Sequence, residues 1–139
     1  MKRHPELLQL SREHYGALKL ARDARRAAES GKPDDVAALA QRVARVFAAE
    51  LDPHFHIEEQ GILVLLVKAG QHELVARTLA DHGELRRLAG MLATPEADTL
   101  LRFAELLGTH VRFEEREVFA VAQARLAINP ICICPGHGV

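Results

Sequence analysis

Two short motifs carry the chemistry of this chain: His54-x-x-x-Glu58 and His110-x-x-x-Glu114. On a helix, residues four apart share one face, so each motif aims an imidazole and a carboxylate at the same point. Two acid-histidine pairs, Glu13-His14 and Asp81-His82, precede the two motifs, one before each. Four helices that each turned one of these segments inward would collect four imidazoles and two carboxylates. Such a nitrogen and oxygen set suits iron, manganese or zinc. Two carboxylates able to bridge suit a pair of ions inside a helical bundle. A single H-x-x-x-E is as readily a pair of surface residues. Two copies within apolar stripes on separate helices favour the ligand reading. His14 and His82 draw their weight from position, because each lies on a helix that must face one carrying the motif.

The elements that must hold these residues read as four helices and a tail. The first is expected from about Pro5 to Glu29, with Leu7, Leu8, Tyr15, Leu18 and Ala21 as its apolar residues. Ser30-Gly31-Lys32-Pro33 is a stop and restart signal. A second helix runs to about Lys68, with Asp52-Pro53 expected either to kink it or to cap a fresh start at Pro53. After Ala69-Gly70-Gln71, a third runs to Met91 with Leu79, His82, Leu85 and Leu88 inward. Thr94-Pro95 reads as an N-cap and first helical position for the fourth, which ends near Ala127. Short connections imply antiparallel neighbours, hence an all-α, up-down-up-down four-helix bundle over residues 1–127 and a short tail over 128–139. HFHIEEQGIL (54–63) matches HVRFEEREVF (110–119), and EHYGALKLA (13–21) matches DHGELRRLA (81–89). The halves are therefore expected to be related by a pseudo-twofold axis.

Other candidates are weaker. Glu13 and Asp81 stand about 100° around the helix from their neighbouring histidines and read as solvated. Glu59 and Glu115 read as solvated or salt-bridged. His4, His56 and His72 lack a partner at ligand spacing. Tyr15 reads as a packing residue, and Phe55, Phe103, Phe113 and Phe119 as an apolar wall that keeps water from the centre. In the tail, Cys132-x-Cys134-x-x-His137 offers three soft or borderline ligands without a fourth, and an apolar tail packed on the bundle is the better reading.

The composition excludes several classes. A net charge of −1 with mixed signs along 139 residues recommends no nucleic-acid or anionic-membrane partner. No apolar run is long enough to span a bilayer, and the first residues lack the apolar stretch of a secretory signal. Two cysteines do not make a disulfide scaffold. A cytoplasmic setting is expected.

Taken in order, LSREHYGAL, LDPHFHIEEQGIL, ARTLADHGELRRL and LGTHVRFEEREVF resemble the hemerythrin-like, HHE cation-binding family over roughly residues 8–124. The resemblance implies a non-heme di-iron centre, with manganese or zinc as alternatives. His14, His54, His82 and His110 would be terminal ligands, and Glu58 and Glu114 would bridge. Oxygen-carrying members place an H-x-x-x-H on the third helix. Here the positions four away from His82 are Thr78 and Arg86, neither of them a replacement ligand. The resulting four-His pattern is closer to bacterial iron-centre repair and nitric-oxide-response relatives, although their cysteine-bearing N-terminal segment has no counterpart here. The first functional expectation is binding or sensing of a small gas, dioxygen or nitric oxide. The second is redox catalysis: iron oxidation, nitric oxide or peroxide reduction, or iron donation. A structural bundle with zinc or without metal is the third.

Overall fold

The computed structural model describes residues 4–128, and within them every regular element is helical. The first helix, α1, spans Pro5–Glu29. His4 caps it, its ring nitrogen accepting from the Glu6 N–H at 3.1 Å, and Pro5 occupies a first-turn position where no N–H is needed. Gly31, at φ 72°, supplies the left-handed turn between α1 and α2 (Pro33–Val46). Gly70, at φ 79°, does the same between α4 (Ile62–Lys68) and α5 (His72–Met91).

The expected second helix is an interrupted rod rather than one regular helix. A π-helical segment, Phe47–Leu51, joins α2 to α3 (Asp52–Gln60). Asp52 does not cap a fresh start at Pro53: it is already helical, and the position before α3 is Leu51, with no side-chain cap bond. A proline ring collides with the carbonyl four residues back, and the widened turn just ahead of it relieves that clash. A second interruption falls at Gly61 (φ −117°, ψ −92°), between α3 and α4.

The last rod is α6 (Ala97–Phe113), a π-helical segment Glu114–Val118, and α7 (Phe119–Ile128). Its irregular turn occupies the repeat position equivalent to Glu58 through Ile62, where the other rod breaks at Gly61. In both halves the backbone departs from α-helix at or just after the motif glutamate. Thr94 is not the cap expected for α6. Glu96 is extended (φ −139°, ψ 139°) and takes that position, which puts the first turn beyond reach of the Thr94 hydroxyl.

The core has two apolar clusters. One gathers Ala17, Leu20, Val43, Phe47, Phe55, Leu85, Leu100, Phe103 and Leu107. The other gathers Leu7, Leu10, Ile62, Leu66, Val75, Phe113, Val118 and Phe119. All four expected wall phenylalanines are buried. Tyr15 is not a packing residue: it is 76 % exposed, because it stands one step around α1 from the inward stripe of Leu10, His14 and Ala17. Leu8 and Leu79 are likewise exposed, each displaced by one residue from the buried positions Leu7 and Thr78. The tail with Cys132, Cys134 and His137 lies outside the described residues.

Candidate metal centre

Between the two apolar clusters lies a layer of buried polar side chains. His14, His54, Glu58, His82, His110 and Glu114 are each at most 4 % exposed. α1 supplies His14, α3 supplies His54 and Glu58, and α5 supplies His82. α6 and the π segment after it supply His110 and Glu114. The structure therefore brings together all six residues singled out by spacing.

Their potential ligand atoms form two overlapping groups. His14, His54, Glu58 and Glu114 make one, and His82, His110, Glu58 and Glu114 the other, with the atoms of each group within 4.8 Å of one another. Glu58 and Glu114 belong to both. The Nε2 atoms of His54 and His82 lie 3.2 and 3.1 Å from opposite oxygens of Glu58. Those of His14 and His110 lie 3.0 and 3.3 Å from one oxygen of Glu114.

Six buried atoms here have no hydrogen-bond partner: Nε2 of His54, His82 and His110, both oxygens of Glu58, and one oxygen of Glu114. An unpaired buried polar atom costs about 1–3 kcal/mol. Six of them converging from three rods call for a shared partner that takes lone pairs from several directions, and a pair of cations meets that need. The residues present fit a two-metal centre.

The opposite edge of every imidazole is occupied. Nδ1 of His14 donates to Glu115 at 2.8 Å, that of His54 to Glu13 at 2.6 Å, that of His82 to Glu59 at 2.7 Å and that of His110 to Asp81 at 2.9 Å. Glu13 and Asp81, expected to be simply solvated, each bond a histidine of the next rod, and Glu59 is salt-bridged to Arg86, one of the two roles expected of it. Each of the four acids stands about 100° around its own helix from the adjoining ligand position, and that offset carries it to the histidine of the next rod. The signal was present in the repeat, where an acid adjoins His14 and Glu58 and, equivalently, His82 and Glu114. A carboxylate on Nδ1 fixes the tautomer so that the Nε2 lone pair faces inward.

The ionisation pattern follows from burial and neighbours. Burial pushes the Glu58 carboxyl well above the usual value, and the negative charge of Glu114 adds to it. Burial acts the same way on Glu114, but the imidazoles of His110 and His14 outweigh it and hold that carboxyl well below the usual range. Burial depresses His54, and it depresses His82 to about 4. It opposes protonation of His110 too, yet Asp81 and Glu114 carry that ring up to about 9. His14 is raised as well, burial being outweighed by Glu114 and Glu115.

Thr78 and Arg86, the residues four away from His82, do other work. The Thr78 hydroxyl donates to the Leu74 carbonyl at 2.7 Å, and Arg86 pairs with Glu59 and Asp52. His56 is exposed, its ring 3.4 Å from Asp52, and His72 opens α5 at the surface. A cavity of about 520 Å³ is lined by His14, His54, His110 and Glu114 together with apolar residues of α1 and the Phe47–Leu51 segment. Lys19, Arg42 and Glu50 also line it.

Comparison with known families adds a match to the hemerythrin HHE cation binding domain over residues 7–122. The chain belongs to this family. No curated protein and no solved structure matched it. The hemerythrin domain covers all six converging side chains and all four acids behind the imidazoles. Among the described residues, no helix of this hemerythrin-family chain is long and apolar enough to cross a membrane.

Proposed function

We propose that this hemerythrin-family protein holds two non-heme iron ions and binds or senses a small gas, dioxygen or nitric oxide. His14 and His54 would hold one ion and His82 and His110 the other, with Glu58 and Glu114 shared between them. The observation that carries this reading is the set of six buried, unpaired ligand atoms facing one another. Manganese or zinc would fit the same donors, and iron is favoured because it supplies a redox-active position at which a diatomic gas can coordinate. The protein's own part is to present four Nε2 lone pairs, hold every Nδ1 proton on a carboxylate, and exclude water with Phe55, Phe103 and Phe119.

An up-down-up-down order belongs to the same reading. α1 and α5 begin with residues of the Leu7 cluster and end among those of the Phe103 cluster, whereas the other two rods begin in the Phe103 cluster. The reading also takes residues 1–127 as one domain and assigns the Cys132–His137 tail no ligand.

A redox enzyme is the second reading, and the cavity favours it. A space of about 520 Å³ that reaches His14 and His54 is larger than a diatomic needs, so a bigger reactant has room beside the centre.

The test is metal analysis of protein purified without air, followed by optical spectra under oxygen and then nitric oxide. Two irons per chain and a reversible charge-transfer band support the binding role. Irreversible oxidation, or catalytic consumption of nitric oxide or peroxide, supports the enzyme. Absence of iron after reconstitution defeats both.

A further inference from the structure

The two halves of the centre differ in how much room their first repeat leaves. Within EHYGALKLA and DHGELRRLA, Gly16, Ala17 and Lys19 stand where the other half has Glu84, Leu85 and Arg87. Leu85 is fully buried, and Arg87 is spent on Glu84, its Nη2 donating at 3.0 Å. On α1 the smaller residues leave space, and a Cβ placed at Gly16 would meet nothing within 4 Å. The cavity of about 520 Å³ opens along this face. Lys19 lines it and has no acid within ion-pair distance among the described residues.

The walls of the cavity are graded. His14, His54, His110 and Glu114 reach it from the centre, and Leu20, Val46, Leu51 and Leu107 make an apolar throat. Lys19 and Arg42 mark the far end. Lys19 follows His14 by five residues, about 7.5 Å along α1, and Arg42 precedes His54 by twelve, about 18 Å along the second rod. The charge there has a sign. Arg12, Lys19 and Arg42 line the cavity against Glu13 and Glu50. Glu13 is spent on His54, and Arg42 is paired with Asp23 at 2.9 Å. Arg12 and Lys19 are left facing Glu50.

We propose that this cavity binds an anionic amphiphile: a medium-length alkyl chain ending in one carboxylate, the head on Lys19 and the chain laid down the throat toward His14 and His54. The proposal deepens the redox-enzyme reading above by naming the class of the larger reactant, and to that extent rests on it. The binding itself requires no ion. An alkyl chain gains by leaving water for the Leu20–Val46 throat, while the head keeps both solvent and a cation at the rim. A diatomic needs neither the length nor the cation. A polar ligand of the same size would lose its hydration to apolar walls without replacement bonds. The volume lies within the usual span of ligand pockets.

Calorimetric titration of the chelator-treated chain with hexanoate, octanoate and decanoate tests this, with decanol and decyltrimethylammonium as neutral and cationic counterparts. Affinity rises up to about fourfold per added methylene. Decanoate outbinds both counterparts by about fivefold, the scale of one partly exposed ion pair. Lys19→Glu reverses the preference between decanoate and decyltrimethylammonium, which a mere loss of packing would not do. Ala49→Trp, at an exposed position on the cavity wall, blocks all three carboxylates. In the cobalt(II)-loaded chain decanoate shifts the visible spectrum, and Ala49→Trp cancels the shift. Equal affinity for decanoate and decanol, or an unchanged preference in Lys19→Glu, overturns the proposal. Binding that appears only with cobalt loaded puts the head on the ions and overturns it too. A dimer in sedimentation that Lys19→Glu dissociates, without decanoate uptake, gives the cavity to a second copy instead. A parent chain that takes up no cobalt overturns the metal-binding reading, while titration of the metal-free chain still decides the cavity.

Discussion

Removing the charge of Glu58 should make the metal-free protein more stable while abolishing its two-metal site. The side chain is fully buried, and neither of its oxygens has a hydrogen-bond partner. It shares the centre with Glu114, with ligand atoms of each group no more than 4.8 Å apart. Two charges at that separation repel by about 3 kcal/mol at an effective dielectric constant near 20. Proton uptake by Glu58 limits this cost, which is why its carboxyl is pushed up rather than left ionised. Glu58→Gln keeps the shape, removes the charge and offers Glu114 an N–H. A gain of about 1–3 kcal/mol in the presence of a chelator at pH 8 is therefore expected. For a chain of this length that corresponds to roughly 3–12 °C in Tm.

The gain must depend on pH in a definite direction. A carboxyl whose folded pKa lies above its unfolded value binds more protons when folded. The stability it confers is fully present below the unfolded value and declines as pH rises toward the folded one. Below about 4.5, the usual glutamate value, parent and Glu58→Gln should converge, since both are then neutral at this position. Above it their difference should widen. Glu114 has the opposite sign, stabilising above its unfolded value and losing that contribution as pH falls, and it remains in both proteins. Chelator-treated samples are unfolded by urea at several pH values, and metal uptake is measured on the same samples. A variant less stable than the parent at pH 8 refutes the repulsion. A variant that still takes up two ions refutes the shared role of Glu58.

Three further outcomes are expected. Saturating metal at about a thousand times its Kd should stabilise the fold by about 4 kcal/mol, raising Tm by roughly 12–16 °C in a calorimetric scan against chelator-treated protein. Phe55→Ala should cost about 3–5 kcal/mol in denaturant unfolding, because a fully buried ring that packs Phe47 on one side and His82 on the other leaves a cavity. His72→Ala, at an exposed first-turn position of α5, should change stability by less than about 0.5 kcal/mol and leave metal content unaltered.

The ligand cluster could be read from spacing because its geometry is local. One helical turn separates His54 from Glu58 and His110 from Glu114, and nothing beyond helix formation is needed to place each pair on one face. His14 and His82 became legible only through the repeat, which requires each to face a motif-bearing rod. What the spacing missed is non-local or breaks regularity. Glu13 looks solvated when only α1 is considered, since it stands off the His14 face, yet that offset is what carries it to His54 on α3. The π turns at Phe47–Leu51 and Glu114–Val118 leave no mark in an apolar stripe, because inserting one residue shifts the register by less than a third of a turn. Tyr15 and Leu79 were misplaced for the converse reason: an apolar side chain one step off the stripe looks the same in a list of spacings as one on it.

These failures have a common physical root, and it explains why the centre breaks helical rules where it does. Four rods must bring six polar atoms into a space shared by two ions, and ideal helices cannot all meet that demand from the register that also buries Phe55, Phe103 and Phe119. Each motif-bearing rod therefore yields near its glutamate, at Gly61 in one half and over Glu114–Val118 in the other. The cost falls on backbone geometry beside the ligands, while α1 and α5, which contribute one histidine each, remain unbroken over 25 and 20 residues. Regularity survives where a rod supplies one ligand and gives way where it must supply two.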